Sequence, residues 1–213
     1  MKKFITFEGM DGSGKSTQVG LLGKSLKKIN EDFLITREPG GTIFSEKIRK
    51  ILVTETDEDI KPKTELLLIY AARHQHIKEK IIPNLKERIV ICDRFYHSTY
   101  CYQILPNSIP LDILKRLHRN FAENLFPDIT VFIDTKPNVS IKRSLKNQGN
   151  EKRFELKNSD YQMMVYKGFL DFVKKNNNFF KVSGNEKVMT IHKKIIDFLN
   201  KKKITKSIIP YCS

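Results

Sequence analysis

Residues 9–17 read Gly9-Met10-Asp11-Gly12-Ser13-Gly14-Lys15-Ser16-Thr17 and satisfy the pattern G-x-x-x-x-G-K-[ST]. Each type at that spacing has a chemical use. Glycines let successive backbone N–H groups turn inward around phosphate oxygens, and a helix starting at Lys15 would add positive potential. The Lys15 ammonium can reach the β- and γ-phosphates, and the Ser16 hydroxyl can coordinate Mg²⁺. The motif follows an apolar, β-prone run and precedes a helical pattern, the context in which it binds ATP or GTP.

Two further polar loops carry residues suited to handling phosphate. One is Thr36-Arg37-Glu38-Pro39-Gly40-Gly41-Thr42; the other is Asp93-Arg94-Phe95-Tyr96-His97-Ser98-Thr99. Arginine makes bidentate contacts to phosphate and keeps its charge when partly desolvated. Two arginines with an Asp and a Glu suit transfer between two phosphorylated molecules. No N-K-x-D sequence is present for guanine recognition, and Cys92-Asp93-Arg94 is not the paired Asp-Glu of many ATP hydrolases. These features favour a small-molecule kinase. The five histidines (His74, His76, His97, His118, His192) have no metal spacing and read as packing or solvent-facing residues.

The elements that must position these loops are legible as alternating patterns. Strands are expected at Lys3–Glu8, Phe33–Arg37, Ile89–Asp93, Ile129–Asp134 and Phe179–Ser183. Continuous runs such as Ile89-Val90-Ile91-Cys92 suit strands buried on both faces. Helices are expected at Lys15–Asn30, Thr42–Val53, Thr64–Leu85, Leu111–Leu125, Asn138–Lys146, Asp160–Asn176 and Glu186–Lys202. This alternation predicts an α/β, three-layer fold: a five-stranded parallel sheet flanked by helices. Ligands then collect outside the carboxyl ends of the strands, where the three polar loops converge. Pro106 and Pro110 mark a loop after the third strand, and 146–152 a polar loop between helices.

The chain has 213 residues, 39% hydrophobic and 30% charged, with a formal net charge of +15. That is enough apolar material for one domain, expected over 1–206, with 207–213 as a C-terminal tail and the last ten residues, basic through Lys206, loosely held. No apolar run approaches the ~20 residues of a membrane span. The N-terminus turns acidic at Glu8, unlike a signal peptide. Three cysteines without metal-ligand spacing suggest a reducing compartment. The expectation is a cytoplasmic protein with no membrane partner. The positive charge invites nucleic acid, but abundant Lys serves as well, and no specific nucleic-acid partner is expected.

Taken together, Phe7 through Thr17, Thr36 through Thr42, Tyr70-Ala71-Ala72-Arg73, Asp93-Arg94-Phe95, Ser98 through Gln103 and Phe126-Pro127-Asp128 resemble the bacterial type of thymidylate kinase, from residue 4 to about 200. The resemblance implies a P-loop kinase fold with a small helical lid, about 142–157. It implies transfer of the ATP γ-phosphate to dTMP, giving dTDP and ADP for dTTP synthesis, with Mg²⁺ as cofactor in a homodimer. By that resemblance Gly9 through Thr17 hold ATP, and Asp11 touches the acceptor's 3′-hydroxyl. Arg37, Glu38 and Arg49 serve the dTMP phosphate side. Arg73, Ser98 and Gln103 contact the base, and Tyr102 excludes ribose. Asp93 joins Ser16 at the metal, and Arg94 clamps donor to acceptor.

Two departures stand out. The family's thymine-stacking Phe is replaced by Ile69, so either Tyr70 or Phe95 supplies aromatic surface or the base packs on an aliphatic side chain. The lid signature D-R-[IL]-E reads Lys152-Arg153-Phe154-Glu155. Gly12 stands where one subtype carries a catalytic arginine, so the resemblance implies that the lid supplies the charge, from Arg153 or Arg143 within the basic set Lys142, Arg143, Lys146, Lys152 and Arg153. Lys15 is expected to have no structural partner without ATP. Alternatives are another nucleoside monophosphate kinase with relaxed base choice, or a nucleic-acid-stimulated P-loop ATPase.

Overall fold

A computed structural model of the chain describes residues 2–54, 58–146, 153, 154 and 156–212. Five parallel strands, β1 (Phe4–Glu8), β2 (Phe33–Arg37), β3 (Ile89–Asp93), β4 (Ile129–Asp134) and β5 (Phe179–Ser183), form one sheet in the order β2-β3-β1-β4-β5. β1 lies in the centre, with Phe7 opposite Asp93 of β3 and Val131 of β4. The period of two then divides the strand. Ile5 and Phe7 join Ile89, Ile91 and Val131 in the core under α1 (Lys15–Lys27) and α9 (Val188–Lys201). Phe4, with Val90 and Cys92, faces the opposite layer, which includes α3 (Pro62–His76) and α6 (Leu111–Phe121). The expected three-layer α/β architecture is the observed one.

The remaining helices are α2 (Ile43–Val53), α4 (Ile82–Leu85), α5 (Tyr96–Thr99), α7 (Pro137–Lys146) and α8 (Ser159–Lys175). Thr42 caps α2 by accepting from the Ser45 amide, and Asn158 caps α8 through the Tyr161 amide.

Three departures from the sequence reading have physical causes. The single helix expected over Thr64–Leu85 is α3, a π-helical turn at Ile77–Ile81, then α4. Pro83 has no N–H to donate and its ring would press on the preceding turn, which favours widening. The sequence predicts a polar loop through Thr99 and no helix before Pro106, yet 96–104 forms α5 and a second π turn, Tyr100–Ile104. Nearly every residue in it is buried, so it shows no polar stripe from which a helical period could be read. The C-terminal tail is not loose along its described length. Ile209 is 1% exposed, its N–H donates to Asn200 Oδ1 at 2.8 Å, and Cys212 Sγ reaches Leu21 O at 3.3 Å. No helix among the described residues is long and apolar enough to cross a membrane.

Candidate active site

The phosphate loop leaves the end of β1 and enters α1 through Gly14 at φ 99°. Beside it lies a cavity of about 570 Å³, lined by Asp11 through Gln18, by Asp93 and Arg94 from the end of β3, and by Arg37, Glu38 and Arg49. Arg143 and Lys146 of α7 close one wall, and Gly184, Glu186 and Val188 after β5 close another. That volume falls in the range of small-molecule sites. Gly9 and Met10 are not lining residues; their carbonyls accept from Lys15 Nζ at 3.0 and 2.8 Å. Lys15 is therefore buried with structural partners, contrary to the expectation of none. Its aliphatic stem packs while the head finds the nearest carbonyls, as an ammonium removed from water must. Burial, then the Arg94 charge, lowers its pKa to about 8, against the pull of Asp11, Asp93 and Glu8.

Ser16 and Asp93, named from sequence as metal residues, meet: Ser16 Oγ donates to Asp93 Oδ2 at 2.7 Å. Both present hard oxygens at the phosphate end of the cavity, a donor set that fits Mg²⁺.

A second, narrower cavity adjoins the first and shares Asp11, Glu38, Arg49 and Arg94 with it. Arg94 stands at the junction. It donates to Asp11 Oδ1 at 2.5 Å and to Ser98 Oγ at 2.9 Å, and its guanidinium lies 5.0 Å from the Tyr102 ring centre. Tyr102 OH donates to the other Asp11 oxygen at 3.1 Å. Desolvation pulls the Asp11 carboxyl upward, but the Arg94 and Lys15 charges outweigh it and hold the pKa near 2. The group is an anion across the working range.

Deeper in, Arg73 is 2% exposed. Its Nε donates to Glu38 Oε2 at 2.7 Å and its Nη2 to Thr99 Oγ1 at 2.9 Å, while Nη1 has no partner. The guanidinium lies over Tyr70 and Phe95, 4.9 and 4.8 Å from the ring centres. Burial raises the Glu38 carboxyl, but Arg73 and His76 outweigh it and leave its pKa lowered. Ile69, Ser98 and Gln103 line the same cavity. Arg37 sits apart at the rim of the larger one, paired with Glu46 at 2.8 Å. Arg49 donates to Pro39 O at 3.1 Å.

The lid arginines separate. Arg143 lines the larger cavity and donates to Gly184 O at 2.8 Å. Arg153, expected as a cation at the phosphate loop, instead donates to the Leu52 and Ile60 carbonyls and pairs with Glu65 on the side of the narrower cavity. The reason is electrostatic: Glu65 is buried in α3 and the guanidinium neutralises it there. Lys152 and Glu155 lie outside the described residues. Of the two candidates for aromatic surface, Tyr70 is not a lining residue, since its hydroxyl pairs with His118 Nδ1 in the core. Phe95 lines the cavity, and so does Phe154, which sequence reasoning saw only as a departure in the lid signature.

Other contributors were missed. Glu8, 0% exposed, accepts from the Phe95 amide at 2.9 Å and from Ser98 Oγ at 2.5 Å, so it holds the start of α5. Burial raises its pKa to about 7 despite those donors. His76 bridges Glu38 and Thr36, with its ring nitrogens 3.0 and 2.7 Å away. The available signal was its place one turn after Arg73, which the absence of metal spacing concealed. His97 is packed against Phe172 and Phe179, and burial lowers its pKa to about 3.

A family profile described as thymidylate kinase matches residues 7–195. The chain is similar to the thymidylate kinase of Rickettsia canadensis, 49% identical over 169 residues, 78% of this chain and 81% of that one. It is also similar to the thymidylate kinase of Caldanaerobacter subterraneus subsp. tengcongensis, 42% identical over 196 residues, 91% of this chain and 93% of the other. A crystal structure of thymidylate kinase from Ehrlichia chaffeensis superposes with a TM-score of 0.76 at 32% identity, covering 93% of this chain and 98% of that one. With a phosphate loop and two adjoining cavities on this framework, the chain belongs to the thymidylate kinase family of ATP-dependent nucleotide phosphotransferases.

Proposed function

We propose that the larger cavity takes ATP, that the narrower one takes dTMP, and that the γ-phosphoryl group crosses where they join at Arg94. The observation that carries this reading is the shared wall: Asp11, Glu38, Arg49 and Arg94 border both cavities. Transfer between two bound phosphates needs alignment and charge neutralisation more than covalent chemistry. The loop amides and Lys15 bind the donor phosphates, and Arg94, fixed by Asp11 and Ser98, bridges donor and acceptor. Arg143 approaches from the lid. Ser16 and Asp93 would hold Mg²⁺, which when bound supplies positive charge to the β- and γ-oxygens. The acceptor phosphate is already an ionised nucleophile, so no strong general base is needed. Asp11 orients the sugar, Tyr102 crowds its 2′ position, and the unpaired Arg73 Nη1 donates to a base carbonyl. Phe154 and Phe95 supply the ring surface that Ile69 lacks.

We further infer a homodimer. Ile43, Phe44 and Ile51 of α2 and Leu67 of α3 are exposed apolar residues on adjacent helices, and a second copy of the chain would cover them. A cytoplasmic location fits the three free, buried cysteines. A coupled assay with ATP against dTMP, dUMP, dCMP, dGMP and UMP tests the assignment. The expected order places dTMP first and dUMP second, because a methyl in a fitted pocket is worth roughly 1–3 kcal/mol. Faster turnover of UMP or dGMP would overturn it. Sedimentation equilibrium tests the dimer.

A further inference from the structure

Glu65, Ile69 and Arg73 are spaced by four along α3 and form one stripe. Beside them lie Thr99 and Gln103, from α5 and the following π turn, and these two line the narrower cavity together with Ile69 and Arg73. Two rungs tie the walls together: Arg73 Nη2 to Thr99 Oγ1 at 2.9 Å, and Gln103 Nε2 to Glu65 Oε2 at 3.4 Å. Ile69 sits between them. Glu65 is itself gripped by Arg153, whose guanidinium is anchored by two backbone carbonyls. Gln103 is held from behind as well, since its backbone carbonyl accepts from Asn107 Nδ2 at 2.9 Å.

The hydrogen-bond chemistry of the second rung has a direction. A carboxylate paired with a guanidinium only accepts, so the amide must turn its NH₂ toward Glu65. The carbonyl Oε1 is then the end left for the cavity, and no hydrogen bond among the described residues takes it up. We propose that Glu65, clamped by Arg153, is the positioning residue that aims the Gln103 carbonyl at the acceptor base and so sets the preference for thymine over cytosine. This rests on reading the narrower cavity as the dTMP pocket.

With the Arg73 Nη1 donor unpaired in the same wall, the pocket presents one donor and one acceptor. An imide edge answers both, with its O4 accepting and its N3–H donating. Cytosine offers an amine and a bare ring nitrogen in those places, so both pairings fail. The two nucleotides share every phosphate and sugar contact, which confines the effect of Glu65 to the base.

The test is the ratio of kcat/KM for dTMP to that for dCMP, with Mg²⁺ and saturating ATP. In Glu65→Gln the neighbour can donate as well as accept, Gln103 is free to turn over, and the ratio should fall by about tenfold or more. The loss should appear as a higher KM for dTMP and a lower one for dCMP, with kcat for dTMP and KM for ATP nearly unchanged. In a Gln103→Leu background, Glu65→Gln should not change the ratio further. A ratio unchanged in Glu65→Gln, or a further fall in the Gln103→Leu background, overturns the proposal. Should Glu65→Gln not melt cooperatively, Arg153→Lys takes its place, since it keeps the charge and loses the fork that fixes the carboxylate. The ratio should again fall, and an unchanged ratio again overturns the proposal. Failure of the wild-type chain to phosphorylate dTMP would remove the reading of the pocket instead.

Discussion

At the scale of single residues, three cations have roles that their sequence positions only partly convey. Lys15 is held by two loop carbonyls. Lys15→Ala should therefore lower kcat by ~10²–10³-fold and also lower the melting temperature, because Gly9 O and Met10 O lose their donor. Steady-state kinetics beside a thermal melt checks both; unchanged turnover would remove the loop from the mechanism. The lid arginines should split by readout. Arg143→Ala should lower kcat by about 10²-fold with the KM for dTMP nearly unchanged, as expected for a group acting on the transferring phosphoryl. Arg153→Ala should raise the KM for dTMP and cost about 3 kcal/mol of stability or more, since it leaves Glu65 buried without its cation. Equal kcat losses with no KM change in either variant would put both arginines on the donor side.

At the scale of elements, the packing of α7 on the phosphate loop bears directly on the proposal that Arg143 supplies charge there. Gly12 has φ 77°, and a Cβ there would meet Ser140 O at 2.2 Å and Ser144 N at 2.7 Å. Ser140 Oγ also donates to Asp11 O, fastening the helix to the loop. Any side chain at position 12 must displace α7, so an arginine could not grow from that position without moving the helix. The same packing brings Arg143 to the cavity: its Cβ lies 3.2 Å from the Cβ that Gly12 lacks. Gly12→Ala should destabilise the fold by roughly 1–3 kcal/mol and reduce kcat together with Arg143's contribution. In the double mutant Gly12→Ala/Arg143→Ala the two kcat losses should then be less than multiplicative, because the first already displaces the second. Fully multiplicative losses would show that α7 keeps its place.

At the scale of the molecule, stability should follow pH through Glu8. Its carboxyl binds a proton more tightly in the fold, near pH 7, than in the open chain, near pH 4.5. Folded protein therefore holds the extra proton between those values, and this group's contribution to stability falls as pH rises through the window. It is level above pH 7. Glu8→Gln removes that titration. Whatever its constant offset, the melting temperature of the variant relative to wild type should climb from pH 4.5 to 7 and then flatten. A constant difference across the window would mean that Glu8 does not titrate there.

Much of this protein is legible along the chain. Four of the five strands carry the bounds expected from their apolar runs, and the phosphate loop lies where the motif placed it, because both signals are local in sequence. The parallel sheet follows from alternation, and the convergence of Asp11, Glu38, Asp93 and Arg94 follows from strands whose carboxyl ends share one edge. Membership of the family was readable for the same reason, since its motifs are contiguous. What only the tertiary structure decided concerns burial and partners distant in sequence. The helix over 96–104 has no periodic stripe, because neighbours cover it on all sides. Glu8, Glu65 and His76 have unremarkable sequence contexts, and they matter through Ser98, Arg153 and Glu38, which lie 38 to 90 residues away along the chain. Arg153 sits one residue from Phe154 in a basic stretch, yet the cost of a buried carboxylate draws it to α3, and of the two arginines Arg143 is the one that lines the larger cavity. Which cation meets which anion is a property of folded distances, and spacing along the chain does not contain it.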